Sequence, residues 1–336
     1  MIAQLDPLYI RTRPGKAVVR VSSHLLFQGR FVTTKHRWLN RIILAELSAM
    51  KRLPRLKSVE KPIFIVGTGR SGSTILGKVL SMHRDIGFLN EPKALWYTIF
   101  PEEDVNGHFS RGPALYRMGA HDVTPSIQQA AHRLFGTYLA ITGSRRVLDK
   151  NPEVVFRIPF VKTIFPDAKF IFLVRNGWDT ISSITTWSRR YGKQVNGDIE
   201  DWWGVNQRKW RFLVEQLVTT EPLLSQSYEQ IKTFTRHEDM AAVEWVLTMQ
   251  EGLRMMGSLP DSIFLVRYEE VTAHPKKALQ KLLAFCELPD DPVFLAYAQQ
   301  VLEPVPHKGP LALPSAIEDP FFETMRAIDY PVGQRP

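Results

Sequence analysis

The chain has 336 residues, of which 44% are hydrophobic and 23% are charged. These proportions are those of ordinary globular proteins, and they exclude a disordered chain, a collagen and a coiled coil. The formal net charge is +9. Residues 1–60 contain twelve Lys or Arg and three Asp or Glu, whereas residues 61–336 contain 31 of each sign. The basic excess is therefore confined to the first sixty residues, and the rest of the chain has no net charge.

The distribution of cysteine, apolar and basic residues bears on the cellular compartment. Cys286 is the single cysteine, so no disulfide can form within the chain. No apolar run reaches the roughly 18 residues that a transmembrane helix needs. Basic residues interrupt the apolar stretches near the N-terminus, which argues against a signal peptide; they are Arg11, Arg13, Lys16 and Arg20. We therefore expect a cytoplasmic protein.

The basic N-terminal residues are predicted to be a separate part of the chain. Apolar residues recur on one side of the segment 35–53, with basic residues interleaved, which predicts an amphipathic helix. We divide the chain into a basic extension with this one helix, residues 1–60, and a main domain, residues 61–336. Two roles stay open for the extension. It either packs on the main domain with its charges solvated, or contacts an anionic membrane surface or an acidic acceptor.

Strands and helices alternate along the main domain. Continuous apolar runs are typical of strands that are buried on both faces, and helical apolar patterns lie between these runs. Strands separated by helices require crossover connections, so the expected fold is α/β, with a mostly parallel central sheet flanked by helices. The predicted strands are residues 63–66, 146–149, 171–174 and 263–266, and the predicted helices include 75–80, 154–165 and a segment from Pro275 onward.

Two other segments are predicted as loops, and a third is rich in tryptophan. Residues 101–121 contain many Gly, Pro and His residues, and the tail beyond Glu303 contains four closely spaced prolines. Four tryptophans lie between residues 187 and 210, beside several basic residues. These tryptophans either stack on a ring of an acceptor molecule or pack a lid helix.

A glycine-rich turn follows the first predicted strand and precedes a helical pattern. Residues 67–74 read Gly-Thr-Gly-Arg-Ser-Gly-Ser-Thr. Glycines allow successive backbone N–H groups to point at one anion, and the start of a helix adds unpaired N–H groups. The spacing from Gly67 to Gly72 matches the start of a Walker A loop, but Ser73 stands where that motif has Lys. The turn is therefore predicted to hold a phosphate without hydrolysing Mg-ATP, with Arg70 as its cation.

A second anion-binding pattern follows the strand predicted at 171–174. Arg175 ends this strand, and Ser183 lies eight residues later in the following helical pattern. A guanidinium is a forked donor that suits phosphate, and the serine can point back at the same anion. An isolated pair of this kind is weak evidence, but after the glycine-rich turn it strengthens the prediction of a phosphate-binding site.

These motifs resemble those of the sulfotransferases that use PAPS, 3′-phosphoadenosine 5′-phosphosulfate. The resemblance runs from about residue 61 to about residue 289 and implies a P-loop-NTPase-like sulfotransferase fold. It implies that Arg175 and Ser183 hold the 3′-phosphate, that Tyr268 lies near the nucleotide, and that Lys308 belongs to a loop closing over the 3′-phosphate. The implied 5′-phosphosulfate loop consists of Arg70, Ser71, Gly72, Ser73 and Thr74.

The resemblance also assigns chemical roles. Sulfo transfer needs a base for the acceptor hydroxyl and cations for the developing charge. We assign Glu91 as the base, because the tyrosylprotein and heparan types of the family are similar here, with a Glu after the first helix. Pro152 stands where phenol-type members have a histidine, which supports this choice. By match to the family, Lys150 contacts the sulfonyl or bridging oxygen, and Arg70 contacts the phosphosulfate.

Several functions stay open at this point. PAPS is the expected co-substrate, PAP (the desulfated nucleotide) the product, and no metal ion is expected. The preferred acceptor is a hydroxyl of a carbohydrate, glycolipid or related metabolite, and the alternative is a phenol or peptide tyrosine. A P-loop kinase is disfavoured by the missing lysine, and a non-catalytic PAP-binding protein is the remaining class. We expect no nucleic-acid partner, because the main domain has no net charge.

Overall fold

A computed structural model of the chain describes residues 4–28, 39–195 and 197–331. Its strands are β1 (Ile63–Gly67), β2 (Ile86–Asn90), β3 (Arg146–Lys150), β4 (Lys169–Val174), β5 (Lys193–Val195), β6 (Asp198–Asp201), β7 (Gly204–Val205) and β8 (Ile263–Arg267). Five of them form a central sheet in the order β2–β3–β1–β4–β8, and every neighbouring pair in it is parallel. The strands β5, β6 and β7 form a small antiparallel sheet.

Helices cover both faces of the central sheet. The α-helices are α1 (Pro7–Thr12), α2 (Pro14–Ser23), α3 (Leu39–Met50), α4 (Ser73–Ser81), α5 (Lys93–Ile99), α6 (Pro125–Thr142), α7 (Ile158–Ile164), α8 (Gly177–Tyr191), α9 (Arg208–Gln216), α10 (Tyr228–Ile231), α11 (His237–Ser258), α12 (Tyr268–Ala273), α13 (Pro275–Phe285), α14 (Pro292–Val301) and α15 (Ser315–Ala327). A π-helical turn, His24–Gln28, continues α2. Short 3₁₀ helices lie at Pro101–Glu103, Ala120–Asp122, Pro152–Arg157, Val218–Thr220 and Ser225–Ser227.

The core consists of two layers, one on each face of the sheet. Side chains of a strand point alternately to the two faces. In β1, Phe64 and Val66 accordingly join one apolar cluster with α5, α6, α7, α8, α11 and α15. Ile63 and Ile65 join the other, with α1, α4, α13 and α14. The predicted α/β fold with a mostly parallel sheet is therefore confirmed.

Three predictions about individual elements were incomplete or wrong. β2 is missing from the predicted strands, because Gly87 and Asn90 interrupt its apolar run. The helix predicted at 154–165 is divided into a 3₁₀ helix and α7, which has a proline in its first turn. The tail is not a loop throughout, since α15 begins at Ser315 after the last of the closely spaced prolines and buries Ile317, Phe321 and Met325 at four-residue intervals.

The expectation of one helix before residue 61 is also wrong. The described residues of this segment contain α1, α2 and α3, and the predicted helical start at 35–38 lies outside the described residues. The first two helices are short and start with proline, and their apolar residues are interspersed with Arg and Lys, which obscured the helical period. Tyr9 of α1 is fully buried, and its hydroxyl hydrogen-bonds Ser81 of α4. These helices therefore pack on the main domain.

Many of the basic charges in this segment are not solvated. Five Lys or Arg side chains between residues 13 and 57 donate hydrogen bonds to backbone carbonyls of the main domain. The pairs are Arg13 with Met82, Lys16 with Ile86, Arg20 with Phe88, Lys51 with Thr98 and Lys57 with Ser144, at 2.6–2.9 Å. The expectation of solvated charges is therefore wrong for these five residues, whose cations satisfy carbonyl groups instead.

Two of these contacts cover the outer edge of β2. This strand is at the edge of the sheet, where alternate carbonyls have no neighbouring strand. Lys16 and Arg20 donate to the carbonyls of Ile86 and Phe88, each at 2.7 Å. The Arg20 guanidinium also lies 4.3 Å from the centre of the Phe88 ring, a cation–π contact. Side chains of α2 therefore donate the hydrogen bonds that the backbone of a sixth strand would otherwise donate to β2.

We expect Arg20→Met to lower the free energy of unfolding by about 2–3 kcal/mol, because it leaves the buried Phe88 carbonyl without its charged donor. Methionine keeps much of the apolar stem, so the change removes the hydrogen bond and the cation–π contact of the guanidinium while most of the side-chain packing stays. The control Arg11→Met removes an exposed charge and should change stability by less than about 0.5 kcal/mol. Chemical denaturation of the three proteins measures the difference, and equal stabilities would contradict the proposed role of Arg20.

Candidate active site

The carboxyl ends of four parallel strands bring the predicted site residues to one edge of the sheet. The glycine-rich loop follows β1, Glu91 follows β2, Lys150 ends β3 and Arg175 follows β4. In open α/β sheets this edge is where ligands bind. The register supports the proximity, because Lys150 is paired with Ile65 of β1 and with Asn90 of β2.

The loop after β1 has the backbone geometry of an anion-binding turn. Gly67, Arg70 and Gly72 all have positive φ angles, of 136°, 69° and 92°. A Cβ atom on Gly67 would lie 2.4 Å from the carbonyl oxygen of Leu173, so only glycine fits there. Helix α4 begins at Ser73, directly after the turn, so its unpaired N–H groups and positive dipole end face the same space.

Of the four hydroxyl residues between Gly67 and Thr74, the three that were assigned to the nucleotide differ in accessibility. Ser71 is buried, and its hydroxyl donates to the carbonyl of Thr68 at 2.6 Å. This hydroxyl therefore stabilises the turn. Ser73 is buried at the first turn of α4, whereas Thr74 is exposed. The predicted roles of these residues toward a nucleotide stay predictions, and the backbone geometry gives the loop its capacity for an anion.

Arg70, Arg175 and Ser183 lie together beside this loop. The Nε of Arg70 donates to the hydroxyl of Ser183 at 3.2 Å, and Nη1 of Arg175 donates to the carbonyl of Arg70 at 3.3 Å. Burial and the neighbouring Arg175 cation lower the pKa of Arg70. Two guanidinium groups and a hydroxyl that converge in this way are suited to a phosphate.

Tyr268 connects the two halves of the predicted nucleotide site. The guanidinium of Arg175 lies 4.7 Å from the centre of its ring, and the same ring packs on Gly72, where an added Cβ would approach it to 2.2 Å. The Nε of Arg175 is buried without a hydrogen-bond partner among the described residues. An unsatisfied cationic donor next to an anion-binding turn fits a ligand that carries phosphate groups.

The backbone of Lys308, a residue predicted to belong to the site, is held near Arg175 by a hydrogen bond. Its N–H donates to Oδ1 of Asp179 at 2.6 Å, and Nδ1 of His307 is 2.9 Å from Oδ2 of the same carboxylate. Asp179 is in turn 3.8 Å from Nη2 of Arg175. The loop between α14 and α15 is thus attached beside Arg175, and the role of Lys308 toward a 3′-phosphate stays a prediction. The side chain of Lys308 itself is exposed.

Three groups near Arg175 could in principle hold a metal ion. Oxygen or nitrogen atoms of Asp179, Glu269 and His307 lie within 4.8 Å of one another. Both Asp179 oxygens are hydrogen-bonded to the loop after α14, and the Glu269 oxygens accept from the Asn176 N–H and the Tyr330 hydroxyl. This cluster is therefore already part of a hydrogen-bond network that fixes the elements around Arg175.

Glu91 and Lys150 form an ion pair at the other side of the loop. The side chain of Lys150 is 1% exposed and that of Glu91 28% exposed, so the glutamate is partly accessible to solvent. The N–H of Glu91 also donates to the carbonyl of Lys150 at 2.8 Å. Glu91 has a φ of 50° and Arg70 a φ of 69°, which are unfavourable for residues with a side chain. Such strain persists where the surrounding structure holds it, commonly at functional sites.

Asp149 points to the opposite face of β3. Its Oδ2 accepts from the Trp96 indole N–H at 2.7 Å, and the residue is fully buried. Burial raises the pKa of its carboxyl to about 7, although Trp96, Lys93 and Lys150 favour the charged form. Its position behind the sheet and its hydrogen bond to Trp96 exclude the direct role that a Walker-type aspartate has beside the phosphates.

A buried chain of charged side chains near the site was not predicted from the sequence. Lys93 is paired with Glu153, Lys209 is 2.6 Å from Glu244 and 4.0 Å from Glu153, and the Trp202 indole N–H donates to Glu244 at 2.6 Å. Although burial opposes it, the cations Lys93 and Lys209 lower the pKa of Glu153 to about 2. The five residues come from four distant segments, so no spacing in the sequence indicates them.

This chain of charges joins the two loops of the candidate site. At one end, the N–H of Lys93 donates to the carbonyl of Glu91 at 2.7 Å. At the other end, the Trp202 ring packs on Gly69, where an added Cβ would lie 2.4 Å from the ring. Trp202 also contacts Trp187 edge to face at 5.4 Å. The tryptophan segment therefore supports the phosphate loop from the outside, which is closer to the packing alternative.

We expect Asp149→Asn to stabilise the protein increasingly as the pH rises from about 4 to 7. In this range the unfolded wild-type carboxyl loses its proton while the folded one, with a pKa of about 7, keeps it, so the wild type loses stability. Above pH 7 the difference should be constant, on the order of 2–4 kcal/mol. Denaturant unfolding at several pH values measures it, with the exposed Asp261→Asn as control. A difference independent of pH would contradict the raised pKa.

Comparison with known proteins finds similarity to sulfotransferases. A sequence model described as the sulfotransferase family matches residues 62–232. The protein-tyrosine sulfotransferase of Drosophila melanogaster is 23% identical over 246 residues, which are 72% of this chain and 41% of that protein. The nodulation protein NoeE of Sinorhizobium fredii is 29% identical over 133 residues, or 37% of this chain and 31% of that protein. The chain thus spans less than half the length of these two relatives.

Solved structures give a weaker likeness. Sulfotransferase STF9 from Mycobacterium avium is 13% identical, with 99% of this chain and 94% of that chain covered at a TM-score of 0.49. The family match covers just over half of the 336 residues and includes the loop after β1, Glu91, Lys150 and Arg175. The chain therefore belongs to the sulfotransferase family.

Proposed function

We propose that this protein transfers the sulfo group of PAPS to a hydroxyl of an acceptor molecule and releases PAP. The observation that carries the proposal is the convergence of two anion-binding arrangements with an acid–base pair at one edge of the sheet. The loop after β1 suits the 5′-phosphosulfate, Arg175 and Ser183 suit the 3′-phosphate, and Glu91 and Lys150 lie at the end of the neighbouring strands.

In the proposed step, Glu91 acts as general base. The acceptor oxygen forms a bond to sulfur while the bond from sulfur to the phosphate oxygen of PAPS breaks, and that oxygen keeps the electron pair. The acceptor proton passes to the Glu91 carboxylate. A base positioned in this way contributes about 10²–10⁴-fold to the rate. The exposure of Glu91 supports this role, since its carboxylate can reach a hydroxyl that enters from solvent.

Lys150 and Arg70 supply the cations. A buried ammonium group at the end of β3 can stabilise negative charge on the bridging oxygen or sulfonyl group in a site of low dielectric constant. In the absence of a ligand this charge is balanced by Glu91. We infer that the Lys150 ammonium turns toward the phosphosulfate when PAPS is bound.

We propose a carbohydrate, glycolipid or related metabolite as the class of acceptor. A Glu base is shared by glycan-type and tyrosylprotein-type enzymes according to the sequence resemblance, so the base alone does not separate them. A peptide tyrosine is the second candidate, because the Drosophila relative that matches 72% of this chain is named a protein-tyrosine sulfotransferase. We further propose that the protein works in the cytoplasm and needs no metal ion for this step.

Two other functions are less well supported by the geometry. A P-loop kinase would need a lysine at Ser73 and an acidic metal ligand near the loop, whereas Asp149 lies behind the sheet and hydrogen-bonds Trp96. Binding of PAP alone does not require a partly exposed carboxylate with an unfavourable backbone conformation, such as Glu91, next to a buried lysine. Binding and turnover measured on the same protein separate these classes.

We expect PAP to raise the melting temperature of the wild type, and Arg175→Ala to abolish that rise, because the 3′-phosphate loses its forked donor. Arg326→Ala, which removes an exposed arginine on α15, should leave the rise unchanged. Thermal denaturation with and without PAP measures the effect. If neither PAP nor PAPS stabilises the wild type, the proposed co-substrate is wrong.

We expect Glu91→Gln to keep the stabilisation by PAP and to lower kcat by about 10²-fold or more, because the amide cannot take a proton. The matched change Glu323→Gln removes an exposed carboxylate on α15 and should have no effect on kcat. Release of PAP from PAPS in the presence of an acceptor measures turnover. Activity that survives in Glu91→Gln would place the base at another residue.

A further inference from the structure

The outer surface of the N-terminal helices has an unusual composition. We define the outer N-terminal surface as the exposed residues among 4–28 and 40–56, which belong to α1, α2, the π-helical turn, α3 and the segment after it. Each of these exposed residues is aliphatic, alanine, glycine, proline or arginine, with Ser48 as the exception. Exposed surfaces of soluble domains normally mix charges of both signs with other polar groups. This surface therefore differs from an ordinary solvent-exposed surface, because it combines apolar residues with arginines and has almost no other polar side chains.

Large aliphatic side chains are concentrated on this surface. Six of the eleven exposed large hydrophobic residues among the described residues belong to it. Val18 is 66% exposed and Ile42 is 57% exposed, although large aliphatic residues are usually buried. The six are Ile10, Val18, Leu25, Ile42, Leu53 and Leu56. Such clustering marks an interaction site more often than chance exposure does.

The helical spacing places these residues on the sides that face away from the domain. In α2 and the turn that continues it, Ala17, Arg20 and Phe27 are buried, while Val18 and Leu25 are exposed seven residues apart. In α3, Leu47 is buried, and the exposed positions 41, 42, 45, 48 and 49 are spaced three and four residues apart on one helix face, with residues 52 and 53 exposed just after the helix. The outward stripes are therefore regular features of two amphipathic elements.

The charges on this surface have one sign. Its charged members are four arginines, Arg11, Arg41, Arg52 and Arg55. The acidic residues in the same described ranges, Asp6 and Glu46, are only partly exposed, and Asp6 is paired with Lys78. The inward cations, by contrast, donate to carbonyls of the main domain. The basic excess is thus divided into an inward group with structural partners and an outward group that faces solvent.

We propose that the outer N-terminal surface binds the interface of an anionic membrane. Exposed aliphatic side chains can enter the boundary between head groups and acyl chains, and arginines beside them attract anionic lipids. A soluble polyanion without apolar groups would use the arginines but leave six large aliphatic side chains without a partner. The combination of both features therefore favours a lipid surface.

The sequence between the two amphipathic elements has the same character. Residues 29–38, which lie outside the described residues, contain Arg30, Lys35, Arg37, Phe31 and Trp38, and no acidic residue. No described helix is both long and apolar enough to cross a membrane. The proposed contact is one with the membrane surface, and it does not depend on the proposed sulfo transfer.

The test is co-sedimentation of the full chain with phosphatidylcholine vesicles, with and without phosphatidylserine. We expect binding to the vesicles that contain phosphatidylserine, with an affinity that falls as salt rises. Replacement of two cations, Arg41→Gln with Arg52→Gln, should weaken this binding about tenfold or more. Replacement of two aliphatic residues, Val18→Ser with Leu25→Ser, should weaken it about fivefold or more, including at high salt where attraction of charge is screened.

Matched controls separate this surface from general stickiness. Ile199→Ser removes an exposed aliphatic residue of β6, and Arg326→Gln removes an exposed arginine of α15; neither should change vesicle binding. All variants should keep the wild-type melting temperature and its shift with PAP, so that failure of membrane binding and failure of the proposed enzymatic function are distinguishable. Wild type that does not bind the anionic vesicles, that binds only soluble polyglutamate, or whose binding survives both double replacements would overturn the proposal.

Discussion

The parallel direction of the five central strands is the constraint on which the candidate site depends. Because the strands run the same way, the loop after β1, Glu91 after β2, Lys150 at the end of β3 and Arg175 after β4 meet at one edge. No single stretch of sequence carries the site. The pairing of β2 with β3 fixes the position of Glu91 beside Lys150 through both the backbone hydrogen bond and the ion pair. Errors in strand register would separate the proposed base from its neighbouring cation.

The N-terminal helices contribute to the same constraint from outside the sheet. β2 is an edge strand, and the cations of α2 occupy the carbonyls that a further strand would have used. Since Glu91 directly follows β2, the basic segment supports the strand that presents the proposed base. The basic excess of residues 1–60, which by itself would suggest a protein that binds polyanions, therefore has two separate roles. Its inward cations stabilise the sheet edge, and its outward arginines lie among exposed aliphatic side chains.

The residues that sequence alone identified have a local signature. β1, β4 and β8 are continuous apolar runs, and the glycine-rich loop and Arg175 directly follow two of them, so pattern and topology predict their meeting. β2 has a glycine and a polar end, α1 and α2 are short and basic, and α15 follows a proline-rich stretch, so their local patterns were ambiguous. The buried chain from Lys93 to Trp202 could not be predicted, because it consists of contacts between distant segments. The contact of α2 with the edge strand β2 likewise joins segments that are distant in the sequence.

We propose above all that this arrangement transfers a sulfo group to a hydroxyl. The most direct measurement incubates the protein with PAPS and a panel of glycans, glycolipids, tyrosine peptides and phenols, and follows the masses of the acceptors. We expect a carbohydrate or glycolipid to gain one sulfo group while an equal amount of PAP is released. A gain on tyrosine peptides alone would replace the acceptor class and keep the chemistry. No sulfated product with any acceptor, from a protein that is stabilised by PAP, would contradict the claim of catalysis.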